Sequence, residues 1–233
     1  MYFIRYILNN LLLTLFLFSC FSTVIGQYRV YRQDNFLKAL IFFKNYKSEF
    51  KICSIGSPLK FKAVFAIVAP EIGEYNNAKN YFETNSLKVL YVHNGSCYSD
   101  FSIGYFQMKP SFVEKLEKTI MTDSKLYRKF KNYIINYGDF KSDRRERIKR
   151  LENIKWQFKY LKLFLIIANN KKTTQKFLSF EEELQYFSTI YNTGFDKKNE
   201  EVLNEMTKER FPNNYFKKFN YSKVCLEFYN AIK

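Results

Sequence analysis

Three short segments of the sequence combine residue types that could donate a proton and bind neutral polar groups. Glu71 follows the apolar run 64–70, whose last residue is a proline. Residues 104–110 place one amide, Gln107, between two apolar side chains, and residues 191–194 read Tyr-Asn-Thr-Gly. Because burial disfavours the charged form of a carboxyl group, a glutamate carried against an apolar core is a candidate general acid at neutral pH.

The segment around Gln107 has the composition of a binding loop. An amide both donates and accepts hydrogen bonds without competing for a catalytic proton. Phe106 and Met108 alternate with Gln107, so we expect them to point into the core. Gly104 has no Cβ and would let the backbone come close to a ligand or to a neighbouring segment.

The three segments together resemble the motifs of the lysozyme-like soluble lytic transglycosylases and goose-type lysozymes. That family has a catalytic Glu at a helix end, then Gly-x-x-Gln followed by a hydrophobic residue and Pro-Ser/Thr, and later Ala-Tyr-Asn-x-Gly. The resemblance covers roughly residues 58–195, and Ile72 and Ile190 stand where the family usually has Ser and Ala. The matching positions are Glu71, Gly104, Gln107, Pro110, Tyr191, Asn192 and Gly194.

The resemblance implies a lysozyme-like fold and cleavage of peptidoglycan between N-acetylmuramic acid and N-acetylglucosamine. It implies Glu71 as the acid and a reaction that needs no metal and no cofactor. By the same resemblance, Tyr191 places its hydroxyl near the catalytic carboxyl, and Asn192 braces the cleft from the opposite helix. Gly104 and Gln107 would belong to the substrate-binding surface.

Other residues near these motifs distinguish between two reactions. Asp100 is the best candidate for a second carboxylate, which a lysozyme-type hydrolase would use, and Ser102 for a sugar contact. A lytic transglycosylase, by resemblance, works with one Glu, and we favour that reaction. Glu74 lies one turn beyond Glu71 without a matching motif, and we expect it on the surface.

The charge of the chain indicates what kind of partner it has. A formal net charge of +16 favours anionic polymers such as nucleic acid, a membrane surface or cell-wall glycan. By the resemblance, peptidoglycan strands are the expected partner, with peripheral contact to an anionic envelope, and the protein is expected to be a monomer. Two alternatives remain open: a non-catalytic wall-binding protein of the same fold, and a basic helical domain that binds membranes or nucleic acid.

The first 26 residues read as an export signal. Arg5 precedes an apolar stretch that is short for a membrane span, and small residues precede Gly26, where we expect cleavage. A lipoprotein signal with Cys20 lipidated and an uncleaved anchor are the alternatives. Export to the periplasm or the medium argues against nucleic acid as the partner.

The cysteines and the histidine offer little for metal or redox chemistry. Cys53, Cys97 and Cys225 follow the predicted signal at unrelated spacings, which suits neither a disulfide framework nor a zinc site. One disulfide is permitted outside the cytoplasm, but the spacing does not choose a pair. His93 is the only histidine and is expected in a turn or on the surface.

The hydrophobic pattern predicts a mainly α single domain over residues 27–233, with a small irregular or hairpin region beside the cleft. A helical stripe starts near residue 61, and Pro70 should kink or end that helix near Glu71. Residues 84–103 fit either a short helix or a hairpin across Asn94-Gly95.

The second half of the sequence contains stronger helix signals. Two capping boxes, Ser111 with Glu114 and Ser179 with Glu182, predict helix starts, and Gly194 predicts the end of the later helix. The remaining signals predict a helix ending at Gly138, one long basic helix capped by Asp143, and a C-terminal helical extension beyond residue 195. The basic face of 144–162 is expected to be solvated or to contact anionic wall polymers, with Trp156 and Phe158 partly packed.

Overall fold

The computed structural model describes residues 26–172, 176–213 and 216–232. The predicted signal and Cys20 lie outside the described residues, apart from Gly26 at its end. Within the described ranges, no helix combines the length and apolar character needed to cross a membrane.

Over these ranges the chain forms twelve α-helices, one short 3-10 helix at Lys131–Tyr133 and one two-stranded antiparallel sheet. This confirms the mainly α class with a small β region. The elements are α1 (Gln27–Tyr31), α2 (Gln33–Asn45), α3 (Lys47–Ser54), α4 (Phe61–Glu74), α5 (Asn77–Asn94), α6 (Pro110–Thr122), α7 (Ser124–Phe130), α8 (Phe140–Glu152), α9 (Ile154–Lys172), α10 (Phe180–Thr193), α11 (Asn199–Glu205), β1 (Glu209–Phe211), β2 (Phe219–Asn220) and α12 (Tyr221–Ala231).

Helix α4 is the central helix of the fold. All residues from Ala63 to Pro70 are buried, so α4 is covered on every side rather than along one stripe. Helices α2, α3, α10 and α12 pack around it. Pro70 lies inside the helix, which continues to Glu74. Glu71 therefore starts the last turn of α4, at the end of the most buried segment of the chain.

The C-terminal helix belongs to this core instead of extending from it. In α12, the Tyr221 hydroxyl donates a 2.9 Å hydrogen bond to the carbonyl of Ile67, inside α4. Phe228 of α12 stacks on Phe36 of α2, with ring centroids 4.3 Å apart, and meets Phe65 edge-on at 6.0 Å. The core of the domain thus includes segments on both sides of the 58–195 region.

Of the two alternatives predicted for residues 84–103, the structure has the helix rather than the hairpin. Residues 84–94 belong to helix α5, which ends at Gly95 with φ +87°. Strands β1 and β2 form the antiparallel pair instead, far along the chain. Between α5 and α6, only an isolated bridge between Ile103 and Met108 closes the loop that contains Gln107.

One capping prediction is confirmed and one is wrong. Ser179 accepts a hydrogen bond from the backbone N–H of Glu182, and α10 ends before Gly194, as predicted. Ser111 does not cap α6. Asp100, from the preceding loop, accepts bonds from both the N–H and the hydroxyl of Ser111 and takes the capping role.

The predicted long basic helix is two helices. Asn153 has an extended backbone and accepts hydrogen bonds from the first N–H groups of α9, so it ends α8 and caps α9. Asp139, rather than Asp143, caps α8 because its carboxylate reaches the free N–H groups of the first turn. Helix α7 likewise ends at Phe130, short of the predicted stop at Gly138. Trp156 is partly buried, as expected.

The three cysteines within the described residues are free thiols, Cys53 and Cys225 in the interior and Cys97 at the surface. His93 is exposed in the last turn of α5, as expected for a surface residue.

Candidate active site

A cavity of about 590 Å³ lies where the end of α4, the loop 100–109, the end of α10 and the β1–β2 connection meet. The fold brings together segments that are more than a hundred residues apart in the chain. All of the predicted site residues except Gly104 line this cavity, namely Glu71, Asp100, Ser102, Gln107, Tyr191 and Asn192.

Glu71 is partly buried, and its carboxyl makes no hydrogen bond or ion pair with any residue in the described part of the chain. Burial, followed by the negative charge of Glu74, raises its pKa from 4.5 to about 8, while Lys79 and Lys109 act in the opposite direction. With that pKa, about nine in ten Glu71 carboxyls carry a proton at pH 7. The side chain has the protonation state of a general acid.

Three buried tyrosines lie near Glu71, but their hydroxyls donate to other acceptors. The acceptors are Glu74 Oε1 for Tyr28, the Phe106 carbonyl for Tyr191 and the Ile67 carbonyl for Tyr221. After burial, the charge of Glu71 is the next cause that raises the pKa of Tyr191. Tyr191 is therefore a neighbour of the acid, as expected, but its proton binds the Phe106 carbonyl at 2.6 Å.

Gln107 has an unusual backbone conformation at the cavity wall. Its φ is +48°, the left-handed region, where a residue with a side chain costs about 1 kcal/mol. Its Nε2 donates to the carbonyl of Gly104 at 2.8 Å, and its Oε1 accepts from Ser102 Oγ at 3.2 Å. Phe106 and Met108 are buried on either side, as predicted. Strain of this kind is often found at functional sites.

Gly104 is not among the residues that line the cavity, and its close backbone approach is to a neighbouring segment, one of the two roles predicted for it. Its φ is +77°, and a Cβ at this position would lie 2.0 Å from Gln157 Nε2 and 2.8 Å from the carbonyl of Leu151. Its N–H donates to Asn80 Oδ1 at 2.7 Å. The close approach permitted by glycine serves packing against α9, because the chain passes directly over Gln157.

Asp100 lines the cavity, but its carboxylate already has partners. One oxygen accepts from the Ser111 N–H at 2.9 Å and the other from the Ser111 hydroxyl at 2.6 Å. Lys109 Nζ is 4.0 Å away. These bonds give Asp100 a structural role at the start of α6, which weakens the case for it as a second carboxylate.

Glu74 is not a surface residue, contrary to expectation. Its side chain is 9% exposed and lines the cavity beside Glu71. The Tyr28 hydroxyl donates to its Oε1 at 2.9 Å, and Arg32 Nε lies 3.5 Å from the same oxygen. The sequence did contain a signal, since residues three apart on a helix lie on the same face. Its partners come from α1 and the α1–α2 junction, which sequence analysis did not connect with the site.

A set of basic side chains around the cavity was also missed. The four cations that line it are Lys79, Lys109, Lys115 and Arg210. Each has an acidic partner, of which the shortest contact is Lys115 to Asp196 at 2.8 Å. Lys109 lies within the Gln107 segment, but Arg210 comes from β1 and has no motif around it. Asn192 is exposed at the end of α10 and also lines the cavity.

The cavity continues into a second one of about 240 Å³ along the end of α10. The two share Asn192, Thr193 and Arg210, and the second adds Lys197 and Lys208. The two cavities form one groove, and the end lined by Lys197, Lys208 and Arg210 is its basic end. Within the described ranges, no three His, Cys, Asp or Glu side chains lie together as a metal would require.

No protein-family model, curated protein or solved structure matches the chain. The functional argument therefore depends on the geometry and electrostatics of the cavity.

Proposed function

We propose that the protein is an exported peptidoglycan glycosidase that cleaves the bond between N-acetylmuramic acid and N-acetylglucosamine as a lytic transglycosylase. The observation that carries the proposal is Glu71, a carboxyl with a pKa of about 8 in a cavity of about 590 Å³. Cleavage of a glycosidic bond needs a proton on a poor leaving group, and a protonated carboxyl at neutral pH supplies it.

The proposed reaction uses Glu71 twice. Its carboxyl donates a proton to the bridging oxygen as the bond from that oxygen to the muramyl C1 breaks. The resulting carboxylate then removes the proton of the muramyl 6-hydroxyl, whose oxygen bonds to C1 and closes a 1,6-anhydro ring. Glu71 ends protonated, so atoms and charge balance without water. That no described residue donates a hydrogen bond to Glu71 suits a group that must both lose and regain a proton.

The rest of the groove supports a polar, anionic glycan as substrate. Gln107, Ser102 and Asn192 present neutral amides and a hydroxyl to the cavity, which suit sugar hydroxyl and acetamido groups. The cations at the basic end suit the carboxylates of the peptides that muramyl residues carry. A glycan that carries both kinds of group fits this lining better than a neutral one.

The runner-up is a lysozyme-type hydrolase in which Asp100 is the second carboxylate. Its position in the cavity favours this reading, whereas its two hydrogen bonds from Ser111 oppose it. The reactions differ in their products, because hydrolysis leaves reducing muramyl ends and transglycosylation leaves anhydro ends that are one water lighter.

Mass analysis of purified peptidoglycan treated with the protein tests the proposal. We expect 1,6-anhydromuramyl ends from the wild type and from Asp100→Asn, and activity near background from Glu71→Gln. Glu152→Gln, which removes an exposed carboxylate of α8, is the matched control and should retain wild-type activity. Reducing ends that disappear in Asp100→Asn would move the assignment to the hydrolase. Absence of cleavage, with glycan binding retained, would favour a non-catalytic wall-binding protein.

A further inference from the structure

We propose that Glu74 is the positioning residue for Glu71: its buried carboxylate, held by Tyr28 and Arg32, places a negative charge beside the Glu71 carboxyl in the last turn of α4. The effect of Glu74 on catalysis rests on the proposed function, but the pairing of the Glu71 and Glu74 carboxyls is independent of it. Nothing in the motif resemblance includes Glu74, because that position follows the matched glutamate by three residues.

The geometry places the two carboxyls in one turn of one helix. Glu71 and Glu74 are the first and last residues of the final turn of α4, and both line the same cavity. Residues three apart on a helix have neighbouring side chains. When two carboxyls are neighbours in a partly buried site, the negative charge of one disfavours ionisation of the other.

The two carboxyls differ in their partners. The Tyr28 hydroxyl donates to its Oε1, and the Arg32 guanidinium lies beside the same atom. Glu71 has no comparable donor in the described part of the chain. Hydrogen bonds and a cation favour the ionised form of the carboxyl they contact. The charge of Glu74, after burial, is the second cause of the raised pKa of Glu71.

Other charged and titratable groups near this pair come from each element around the end of α4. Helix α3 contacts α4 through apolar rings such as Phe50 against Phe65. Lys38 of α2 lies near the charge of Glu74, which raises its pKa against a larger lowering by burial. The other groups that face the pair are Lys79 of α5, Lys109 of the loop, Tyr191 of α10, and Tyr221 and Cys225 of α12. The two lysines favour ionisation of Glu71, so Glu74 counteracts them.

The N-terminal helix α1 is held in place for this role by the C-terminal helix. Glu227 of α12 accepts hydrogen bonds from the backbone N–H groups of Tyr28, at 3.2 Å, and Arg29, at 2.9 Å. These bonds cap the start of α1 and fix the Tyr28 ring, which packs edge-on against Phe219 at 5.3 Å. Helices α1 and α12, the first and last of the described residues, therefore position the partners of Glu74.

Titration of the Glu71 carboxyl by carbon-13 NMR in the full protein, without substrate, tests the pairing directly. In Glu74→Gln, which keeps the shape of the side chain and removes its charge, we expect the pKa of Glu71 to fall by about one unit. Tyr28→Phe keeps the ring but removes the hydroxyl that donates to Glu74. It should also lower the pKa of Glu71, by less than Glu74→Gln does. Glu152→Gln, the exposed control, should leave it unchanged.

The pH profile of peptidoglycan cleavage should change in the same order of variants. In Glu74→Gln, the pH at which activity falls on the alkaline side should decrease by as much as the pKa of Glu71 does. An unchanged Glu71 titration in either folded variant, Glu74→Gln or Tyr28→Phe, would overturn the proposal. If the NMR shift appears but no variant and no wild type cleaves peptidoglycan, the pairing stands and the proposed function fails.

Discussion

Replacing Glu71 by Gln should make the folded protein more stable, by an amount that grows as the pH rises. Burial and the charge of Glu74 raise the pKa of Glu71 from 4.5 to about 8 in the folded protein. Between these values the folded state keeps a proton that the unfolded state has lost, so the stability of the wild type falls with increasing pH. Gln has the shape of the neutral carboxyl and cannot ionise, so the variant escapes this loss.

The size of the effect follows from the shift of 3.5 units, which is 8 minus 4.5. At about 1.36 kcal/mol per unit, the variant gains at most about 5 kcal/mol of unfolding free energy above about pH 8, and almost nothing below about pH 4. Because Glu71 is only partly buried, water screens some of this penalty. We therefore expect a gain of about 2–3 kcal/mol near pH 9.

Urea unfolding followed by far-UV circular dichroism, at about pH 5, 7 and 9, measures this difference. Glu152→Gln is the control for the loss of one surface charge, since that side chain is 40% exposed and pairs with Lys88 at 2.9 Å. The control should change the free energy of unfolding by less than about 1 kcal/mol at each pH. If the free energy of unfolding of Glu71→Gln differs from that of the wild type by the same amount at about pH 5 and at about pH 9, the argument that burial controls this carboxyl is refuted.

Further substitutions test the loop that carries the predicted amide. Gly104→Ala should cost about 3 kcal/mol or more, because its Cβ would lie 2.8 Å from the backbone carbonyl of Leu151 at a residue whose φ is +77°. Thermal unfolding measures this, and a melting temperature close to wild type would contradict it. Gln107→Gly removes the strain at φ +48° together with two hydrogen bonds, so the free energy of unfolding should change by less than about 1 kcal/mol. Glycan turnover should fall at least about tenfold. Unchanged turnover would argue against an amide–substrate contact. Tyr191→Phe should cost about 1–3 kcal/mol in urea unfolding, because the buried Phe106 carbonyl loses its 2.6 Å donor, and equal stability would show that another donor replaces it.

Several features of the site are readable from the sequence because they depend on neighbours in the chain. The apolar run before Glu71 predicts a buried helix that ends near a carboxyl. The alternation around Gln107 predicts two buried side chains and one that faces away. The Ser179–Glu182 pair and Gly194 bound α10 correctly. In each case the deciding interaction, local hydrogen bonding or hydrophobic periodicity, acts within a few residues.

Local signals misled where two groups within reach compete for one partner. Ser111 has the sequence of a capping residue, but its hydroxyl and its own N–H both donate to Asp100, eleven residues earlier, and Ser111 lies inside α6 rather than at its cap. Asn153 likewise interrupts a run that is helical by composition, because its side chain satisfies the first N–H groups of a new helix. Such competition is settled by where the loop lies in space.

The sequence by itself determined the mainly helical class, the burial of the segment before Glu71 and the candidate acid. Only the tertiary structure decided which groups surround that acid. Tyr28 and Arg32 reach Glu74 from the N-terminal end of the described chain, and Arg210 reaches the cavity from a hairpin that no motif marked. The pKa of a carboxyl depends on desolvation and on charges within a few ångströms, and these are set by the packing of segments distant in sequence.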